Sequence, residues 1–120
     1  MKRKKPHPLI PRSLKLLRDR GYIAEKVEQR LPIPGKFVTR DFCNFADLIA
    51  FGDNPPRIIA VQVTSSAHLA EREKKIREEP RAWKWLGAKG EILMHGWAKR
   101  GPRGKRKTFQ VTERWIEKEE

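Results

Sequence analysis

The chain has 120 residues, a length typical of one domain with a single sheet and two or three helices. It carries 28 Lys and Arg residues against 15 Asp and Glu residues, a formal net charge of +13. Such an excess repels itself unless a polyanion is a regular partner, which favours nucleic acid first and an anionic membrane second. No apolar run approaches the roughly 18 residues that span a bilayer. A single cysteine, Cys43, excludes an internal disulfide and a multi-cysteine zinc site.

The amino-terminal third predicts an arm, a helix and a strand. Residues 1–11 are basic and proline-rich, so we expect a loose arm that either solubilises the chain or adds a phosphate contact. This segment lacks the long apolar stretch of a secretory signal. Residues 12–22 carry leucines at helical spacing and reach Gly21, which predicts a short helix. From Tyr22 the pattern alternates, which predicts a strand that breaks at 32–35.

Two apolar runs in the middle of the chain are the strongest strand predictions. Residues 45–51, FADLIAF, and residues 57–63, RIIAVQV, are rich in apolar and β-branched side chains. The GDNPP segment between them is typical of a turn, so we expect an antiparallel hairpin at the centre of the sheet. Residues 66–79, SAHLAEREKKIREE, have the three-to-four spacing of a helix, which Pro80 would end.

The last third predicts a further helical turn and two strands. Residues 81–90 are helical up to a glycine, and residues 91–97 and 108–117 form strands on either side of a basic loop. The order α-β-β-β-α-(α)-β-β predicts an α/β (α+β) fold, with a central mixed sheet of about five strands flanked by helices. We expect one domain over residues 12–116 and an acidic tail over 117–120.

Each strand of the central hairpin carries one polar residue, Asp47 or Gln62, among apolar side chains. Alternate residues of a strand face the same way, so Asp47 can lie opposite or diagonal to Gln62 and Thr64. Burying a carboxylate without a partner costs several kcal/mol, and a bound Mg²⁺ is one partner that offsets this cost. In the alternative interpretation, Asp47 forms a salt bridge with an arginine and Gln62 is an ordinary core amide.

Further acids lie near this hairpin in the sequence. Asp41 precedes Asp47 by six residues, and Glu25 and Glu28 on the preceding strand can reach the same end of the sheet. Two or three acids with a carbonyl suit a divalent ion, which in so basic a protein would lie against a phosphate. The pattern favours metal-assisted phosphodiester hydrolysis. The candidate metal ligands are Asp47, Gln62, Asp41 and Glu25.

The segment from Leu14 to Ile76 resembles the PD-(D/E)xK nuclease superfamily, and within it the archaeal-type Holliday-junction resolvases. Those proteins run helix, GF or GY, strand, PDLIA, turn, (I/V)E(C/V)K(S/T), then a helix. This chain has LLRDRGY, ADLIAF, AVQVTSS and HLAEREKKI in that order, over about half its length. The resemblance implies a restriction-endonuclease-like mixed sheet, dependence on Mg²⁺ or Mn²⁺, a homodimer and cleavage of branched DNA.

Carried over by position, Asp47 matches the motif aspartate and Gln62 matches the second acid of the family. Thr64 stands where the family has a lysine, which is thought to help activate the attacking water. A cation from another element would have to replace that lysine. Lys75 is the first candidate, ahead of Arg72 and Lys26, because its helix directly follows the motif strand.

The family's glutamate early on the first helix is also absent, since this chain reads LIPRS there. The acids near the hairpin that could take its place are Glu25, Glu28 and Asp41. The candidate catalytic residues are therefore Asp47, Gln62, Lys75 and Glu28. These departures from the motif leave a catalytically inactive relative open as an alternative.

The basic loop between the last two strands is the other candidate binding surface. Residues 95–107, HGWAKRGPRGKRK, combine cations with glycines, a composition suited to tracking a phosphate backbone. Trp97 is expected to stack on an unpaired base, and His95 to be a strand residue without a catalytic role. The predicted nucleic-acid-binding residues are Lys99, Arg100, Arg103, Lys105, Arg106, Lys107 and Trp97.

Three functions follow from these observations. The first is a metal-dependent endonuclease that cuts DNA, branched DNA in particular; the second is an inactive DNA-binding protein with the same fold; the third is a small basic RNA-binding protein. The third has no reason to gather Asp41, Asp47 and Gln62 around one hairpin, so the endonuclease is preferred. We expect a homodimer, no membrane association and a cytoplasmic location, with a phage origin as an open alternative.

Overall fold

The computed structural model describes residues 9–118, except for the side chains of residues 30–33 and 36–38. The elements in this range are α1 (Leu9–Asp19), β1 (Ile23–Lys26), β2 (Gln29–Ile33), β3 (Lys36–Arg40), β4 (Leu48–Asp53), β5 (Pro56–Ser65), a 3₁₀ turn (Ser66–His68), α2 (Leu69–Arg77), α3 (Pro80–Gly87), β6 (Glu91–Arg100) and β7 (Thr108–Ile116). None of these helices has the length and apolarity needed to cross a lipid bilayer.

Five of the strands form one mixed sheet in the order β1-β4-β5-β6-β7. Strand β4 runs antiparallel to β1 and β5, β6 runs parallel to β5, and β7 runs antiparallel to β6. Helices α2 and α3 form the crossover from β5 to β6, which a parallel pair requires. The predicted fold class, a mixed sheet of about five strands flanked by helices, is confirmed, and the β4–β5 hairpin lies at its centre as expected.

This topology brings the ends of five strands to one edge of the sheet, which we call the upper edge. The last residues of β1, β5 and β6 lie there beside the first residues of β4 and β7, as the paired residues Lys26 and Leu48, and Arg100 and Thr108, show. Asp47 immediately precedes β4 and therefore lies at the upper edge. The basic loop that joins β6 to β7 leaves from the same edge.

The two faces of the sheet carry separate apolar cores. The core on the α1 face includes Leu17, Leu48, Val61 and Leu93. The core on the opposite face, which α2 and α3 cover, includes Phe45, Ala60, Ile76, Ala82 and Met94. Side chains alternate between the faces along each strand, so odd-numbered residues of β5 and β6 face α1 and even-numbered ones face α2 and α3.

Two boundaries differ from the prediction. Helix α1 begins at Leu9, inside the segment expected to be a loose arm; residues 1–8 and 119–120 lie outside the described residues. Pro11 fits the first turn because the first N–H groups of a helix have no acceptor within it. The predicted first strand is instead β1 followed by the β2–β3 hairpin, whose turn has Gly35 at φ +77°. Strand β3 was not predicted because it pairs with its neighbour β2, outside the five-stranded sheet.

Candidate metal centre and nucleic-acid interface

Asp47 and Gln62, the two polar residues of the central hairpin, are in direct contact. Gln62 Nε2 donates a hydrogen bond to Asp47 Oδ2 over 2.6 Å, and the Val63 N–H donates to the same oxygen over 2.8 Å. Asp47 is 5% exposed and Gln62 is 3% exposed. In this arrangement Gln62 orients the carboxylate through its N–H group, which is a different role from the predicted metal ligand.

A short loop places Asp41 beside Asp47. Phe42 and Ala46 form an isolated antiparallel bridge, in which the Phe42 N–H donates to Ala46 O over 2.8 Å and the Ala46 N–H donates back over 3.1 Å. Phe45 anchors this loop because its side chain is buried in the core that faces α2 and α3. Asp41 and Asp47, which flank the loop, therefore lie next to each other at its base.

The chain after β1 brings a third acid to the same place. The Val27 N–H donates to Asp47 O over 2.9 Å, so this segment runs alongside Asp47. Glu28, Asp41 and Asp47 each offer a carboxylate oxygen, and these oxygens lie within 4.8 Å of one another. We call these three residues the acid cluster. An all-oxygen donor set at this spacing fits the coordination that Mg²⁺ prefers in proteins.

Burial and neighbouring carboxylates raise the pKa of Asp47 to about 7. Burial is the main cause because it disfavours the charged form, and the Val63 hydrogen bond opposes it. The negative charge of Asp41, a hydrogen bond with Asp41 and the charge of Glu28 raise the pKa further. A divalent cation would remove the cost of holding these carboxylates ionised together, so the electrostatics fit a cation site.

Lys26 is the cation that contacts the acid cluster in the described part of the chain. Its Nζ lies 2.9 Å from Glu28 Oε1. Lys75, the first candidate from the sequence, lines a cavity of about 390 Å³ together with Asn44, Arg72, Glu78 and Glu79. The contacts therefore favour Lys26 over Lys75 as the cation beside the carboxylates.

Glu25, a predicted metal ligand, lies apart from the acid cluster. Its carboxylate is 74% exposed, and its Oε2 lies 3.9 Å from Arg18 Nη2. Glu25 pairs with Ile49 of β4, two residues further into the sheet than Asp47. The structure thus gathers Asp41, Asp47 and Glu28 from the predicted set, with Gln62 behind them, and leaves Glu25 beside α1.

The β6–β7 hairpin carries the predicted basic residues past the upper edge of the sheet. Met94 of β6 pairs with Gln62, and Arg100 lies six residues further along the strand. Six residues of strand extend about 20 Å. The six predicted cations on this hairpin are all exposed: Lys99, Arg100, Arg103, Lys105, Arg106 and Lys107. We call residues 99–108 the cationic hairpin, and it leaves the sheet at the edge that holds the acid cluster.

Trp97 does not have the position expected for base stacking. Its side chain is 9% exposed, and its indole N–H donates to Ser13 Oγ over 2.8 Å. The physical reason is strand alternation, because Trp97 falls on the face of β6 that α1 covers. Trp97 is therefore an interior residue that ties α1 to the sheet.

A contact between the first helix and the last strand was not predicted from the sequence. The Arg12 guanidinium carbon lies 3.8 Å from the centre of the Phe109 ring, and Lys99 Nζ lies 5.4 Å from the same centre. Arg12 resembled a helix-start residue and Phe109 an ordinary strand residue. No local pattern in the sequence could have paired two positions so distant along the chain.

A buried polar chain links α1 to β6 and β7. Ser13 Oγ lies 2.8 Å from His95 Nδ1, and His95 Nε2 lies 3.0 Å from Glu113 Oε2. Both nitrogens of the Arg20 guanidinium fork donate to Glu113 over 2.6 Å. Burial lowers the pKa of His95, and the hydrogen bond to Glu113 opposes that shift.

The order serine, histidine, glutamate resembles a hydrolase triad, but its setting does not. Ser13 and His95 are both 0% exposed, so a substrate has no access to the hydroxyl. A hydroxyl nucleophile must contact the reacting atom of its substrate. The buried chain therefore stabilises the fold, and the absence of a catalytic role for His95 stays a prediction.

Comparison with known proteins adds no family to this description. No protein-family model, curated protein or solved structure matches the chain. Function is therefore inferred from the acid cluster, the cationic hairpin and their relative positions.

Proposed function

We propose that this protein is a metal-dependent endonuclease that hydrolyses phosphodiester bonds in DNA, with branched DNA as its substrate. The observation that carries the proposal is the position of the acid cluster at the same edge of the sheet as the cationic hairpin. Neither feature alone indicates a nuclease, since solvated cations and acidic pairs are common. Together they provide a site for a divalent cation and a surface that holds a phosphate backbone beside it.

Each residue of the site has a role in this proposal. Asp47, Asp41 and Glu28 hold Mg²⁺ or Mn²⁺, while Gln62 and the Val63 N–H keep the Asp47 carboxylate in one orientation. The bound ion would lower the pKa of a water molecule and neutralise charge on the scissile phosphate. Lys26, next to Glu28, replaces the lysine that the PD-(D/E)xK motif places at Thr64.

The cationic hairpin holds the DNA rather than cutting it. Its exposed lysines and arginines neutralise phosphates without reading sequence, which suits an enzyme that recognises the shape of a branch. The preference for branched DNA, and a homodimer that contacts two strands, follow from the resemblance to Holliday-junction resolvases. Both are part of the proposal, as is an intracellular DNA substrate.

An inactive DNA-binding protein is the second candidate, and the identities of Thr64 and Gln62 favour it. A family member with an intact motif has a lysine and a second acid at these positions, whereas this chain has two neutral side chains. In that case Asp47 would share a proton with Asp41, to which its raised pKa corresponds. A small RNA-binding protein is the third candidate and predicts a preference for structured RNA over DNA.

The test is an assay on a synthetic four-way junction, a matched linear duplex and a structured RNA, with Mg²⁺, Mn²⁺ or EDTA. We expect nicking of the junction that requires metal and is lost in Asp47→Asn. Asp53→Asn is the matched control, because Asp53 is exposed at the opposite end of β4. Binding of the junction with no nicking in either Mg²⁺ or Mn²⁺ would support the inactive DNA-binding protein. Tighter binding of the RNA than of the DNA would support the RNA-binding protein.

A further inference from the structure

We propose that the groove between α1 and the cationic hairpin binds a backbone phosphate of nucleic acid, through an Arg12 guanidinium held over the Phe109 ring. This inference rests on the proposed function in taking nucleic acid as the ligand. It adds a second contact point, on the face of the sheet opposite to the acid cluster. It also assigns a role to Arg12, a residue outside the basic loop.

The contact with Phe109 holds the Arg12 guanidinium in place. The guanidinium carbon lies over the aromatic ring, 3.8 Å from its centre. Such a cation–π contact orients the planar fork of donors before a ligand arrives. A fork that is already ordered loses less entropy when it binds two oxygens of a phosphate.

Arg12 also has a donor that the protein does not satisfy. Its Nε is buried and has no hydrogen-bond acceptor within the described part of the chain. A buried donor without an acceptor destabilises a protein, and phosphate oxygens are strong, charged acceptors. The unmet donor favours an acceptor that approaches the guanidinium from outside the protein.

The groove itself carries charge of one sign. Its volume is about 480 Å³, and its lining residues are Arg12, Lys99, Arg106, Lys107, Thr108 and Phe109. Every charged residue in this lining is a cation, so the groove concentrates anions. A recessed groove suits a phosphate on a strand that can enter it, whereas a membrane surface is bound by an apolar face that inserts.

The position of the groove defines the path that a bound nucleic-acid strand would follow. Lys99 pairs with Phe109 on the α1 face of the hairpin, and Arg12 reaches them from α1. Asp47 and Gln62 face α2 and α3 on the other side of the sheet. A nucleic acid that contacts both sites must cross the upper edge beside the hairpin, so each site can be altered separately.

The experiment compares two substitutions that keep the net charge. Arg12→Lys retains the positive charge but loses the planar fork and its stack. Arg57→Lys makes the same change at the opposite end of the sheet, where the Arg57 guanidinium lies over the Trp115 ring. Binding of a fluorescent single-stranded oligonucleotide and of the four-way junction is measured in EDTA. We expect about a tenfold loss of affinity for Arg12→Lys and less than about a twofold loss for Arg57→Lys.

The outcomes separate this inference from the proposed function. Equal affinities of wild type and Arg12→Lys would overturn it, even if the protein cuts DNA. A selective loss in Arg12→Lys would support it, even if no metal ever promotes cutting. Tighter binding to phosphatidylserine vesicles than to DNA, with the same sensitivity to Arg12→Lys, would overturn nucleic acid as the ligand.

A second variant, Phe109→Leu, tests the role of the stack independently in case Arg12→Lys does not fold. Phe109→Leu keeps an apolar side chain and the net charge but removes the ring that orients Arg12. We expect a loss of affinity similar to that of Arg12→Lys, with a thermal unfolding transition still present. Unchanged affinity in a folded Phe109→Leu protein would contradict a role for the stack.

Discussion

Gln62 Nε2 lies 2.6 Å from Asp47 Oδ2, which joins the two strands of the central hairpin through a buried amide and a buried carboxylate. The contact fixes the direction of the Asp47 side chain. Asp41 and Glu28 then meet it from two other segments of the chain. Three acids from different segments of the chain therefore converge beside the central hairpin. This convergence has consequences that can be measured.

The raised pKa of Asp47 predicts how stability depends on pH. The folded pKa is about 7 and the unfolded value is 3.8, so the folded state holds a proton that the unfolded state releases between these values. The contribution of Asp47 to the free energy of unfolding should fall as pH rises from 4 to 7 and then level off. Asp47→Asn removes this fall and should be more stable than wild type by roughly 4 kcal/mol at pH 8 without metal.

Urea unfolding between pH 4 and 8 measures this effect, with Asp53→Asn as the control. A wild-type profile that rises over this range and matches that of Asp47→Asn would show that Asp47 is not held by its neighbours as described. The same series with Mg²⁺ should raise the stability of wild type more at pH 8 than at pH 5. The reason is that protons compete with the metal ion for the acid cluster below pH 7.

The contact between Lys26 and Glu28 predicts that two lysine variants differ in their rate of junction cleavage. Lys26→Ala removes the cation beside Glu28 and should lower the rate of junction cleavage by about 10²-fold, a magnitude typical of groups that stabilise charge in a transition state. Lys75→Ala, the matched control, should cleave at nearly the wild-type rate because Lys75 lines a different cavity. Single-turnover cleavage separates the rate from the affinity, and a defect confined to Lys75→Ala would reverse the assignment.

Ser13 predicts a purely structural effect. Ser13→Ala leaves the Trp97 indole N–H and His95 Nδ1 without their partner, so the free energy of unfolding should fall by about 1–3 kcal/mol. Urea unfolding at pH 7 measures it, with Ser65→Ala as the control on an incompletely buried serine. DNA binding should be unchanged in the folded fraction; a specific loss of binding would give this network a functional role.

The cationic hairpin predicts strong salt dependence of DNA binding. The logarithm of the binding constant should fall linearly with the logarithm of salt concentration because counterions leave the DNA. Lys105→Gln should reduce the slope by about one, whereas Lys84→Gln, an exposed lysine on α3, should leave it unchanged. Titrations between about 50 and 200 mM salt provide the measurement, and a flat response would exclude phosphate contacts by the hairpin.

Local patterns in the sequence were sufficient for most of the fold. Apolar runs, turn residues and helical spacing are properties of neighbouring residues, so they located the central hairpin, the helices and the last two strands. Strand alternation also placed Asp47 and Gln62 on one face, since this depends only on the pairing of two adjacent strands. The β2–β3 hairpin was missed because its pairing leaves it outside the sheet that the apolar pattern describes.

The tertiary structure decided the contacts between distant segments. Whether Glu28 or Glu25 meets Asp47 depends on the register of β1 against β4, and whether Lys26 or Lys75 approaches it depends on how α2 packs. Trp97 was placed wrongly because helix α1 packs over its side of β6, and the contact of Arg12 with Phe109 depends on the same packing. Sequence alone thus determined a basic α+β protein with polar residues in its central hairpin. Helix packing and strand register determined which residues contact those polar residues, because these contacts join distant segments of the chain.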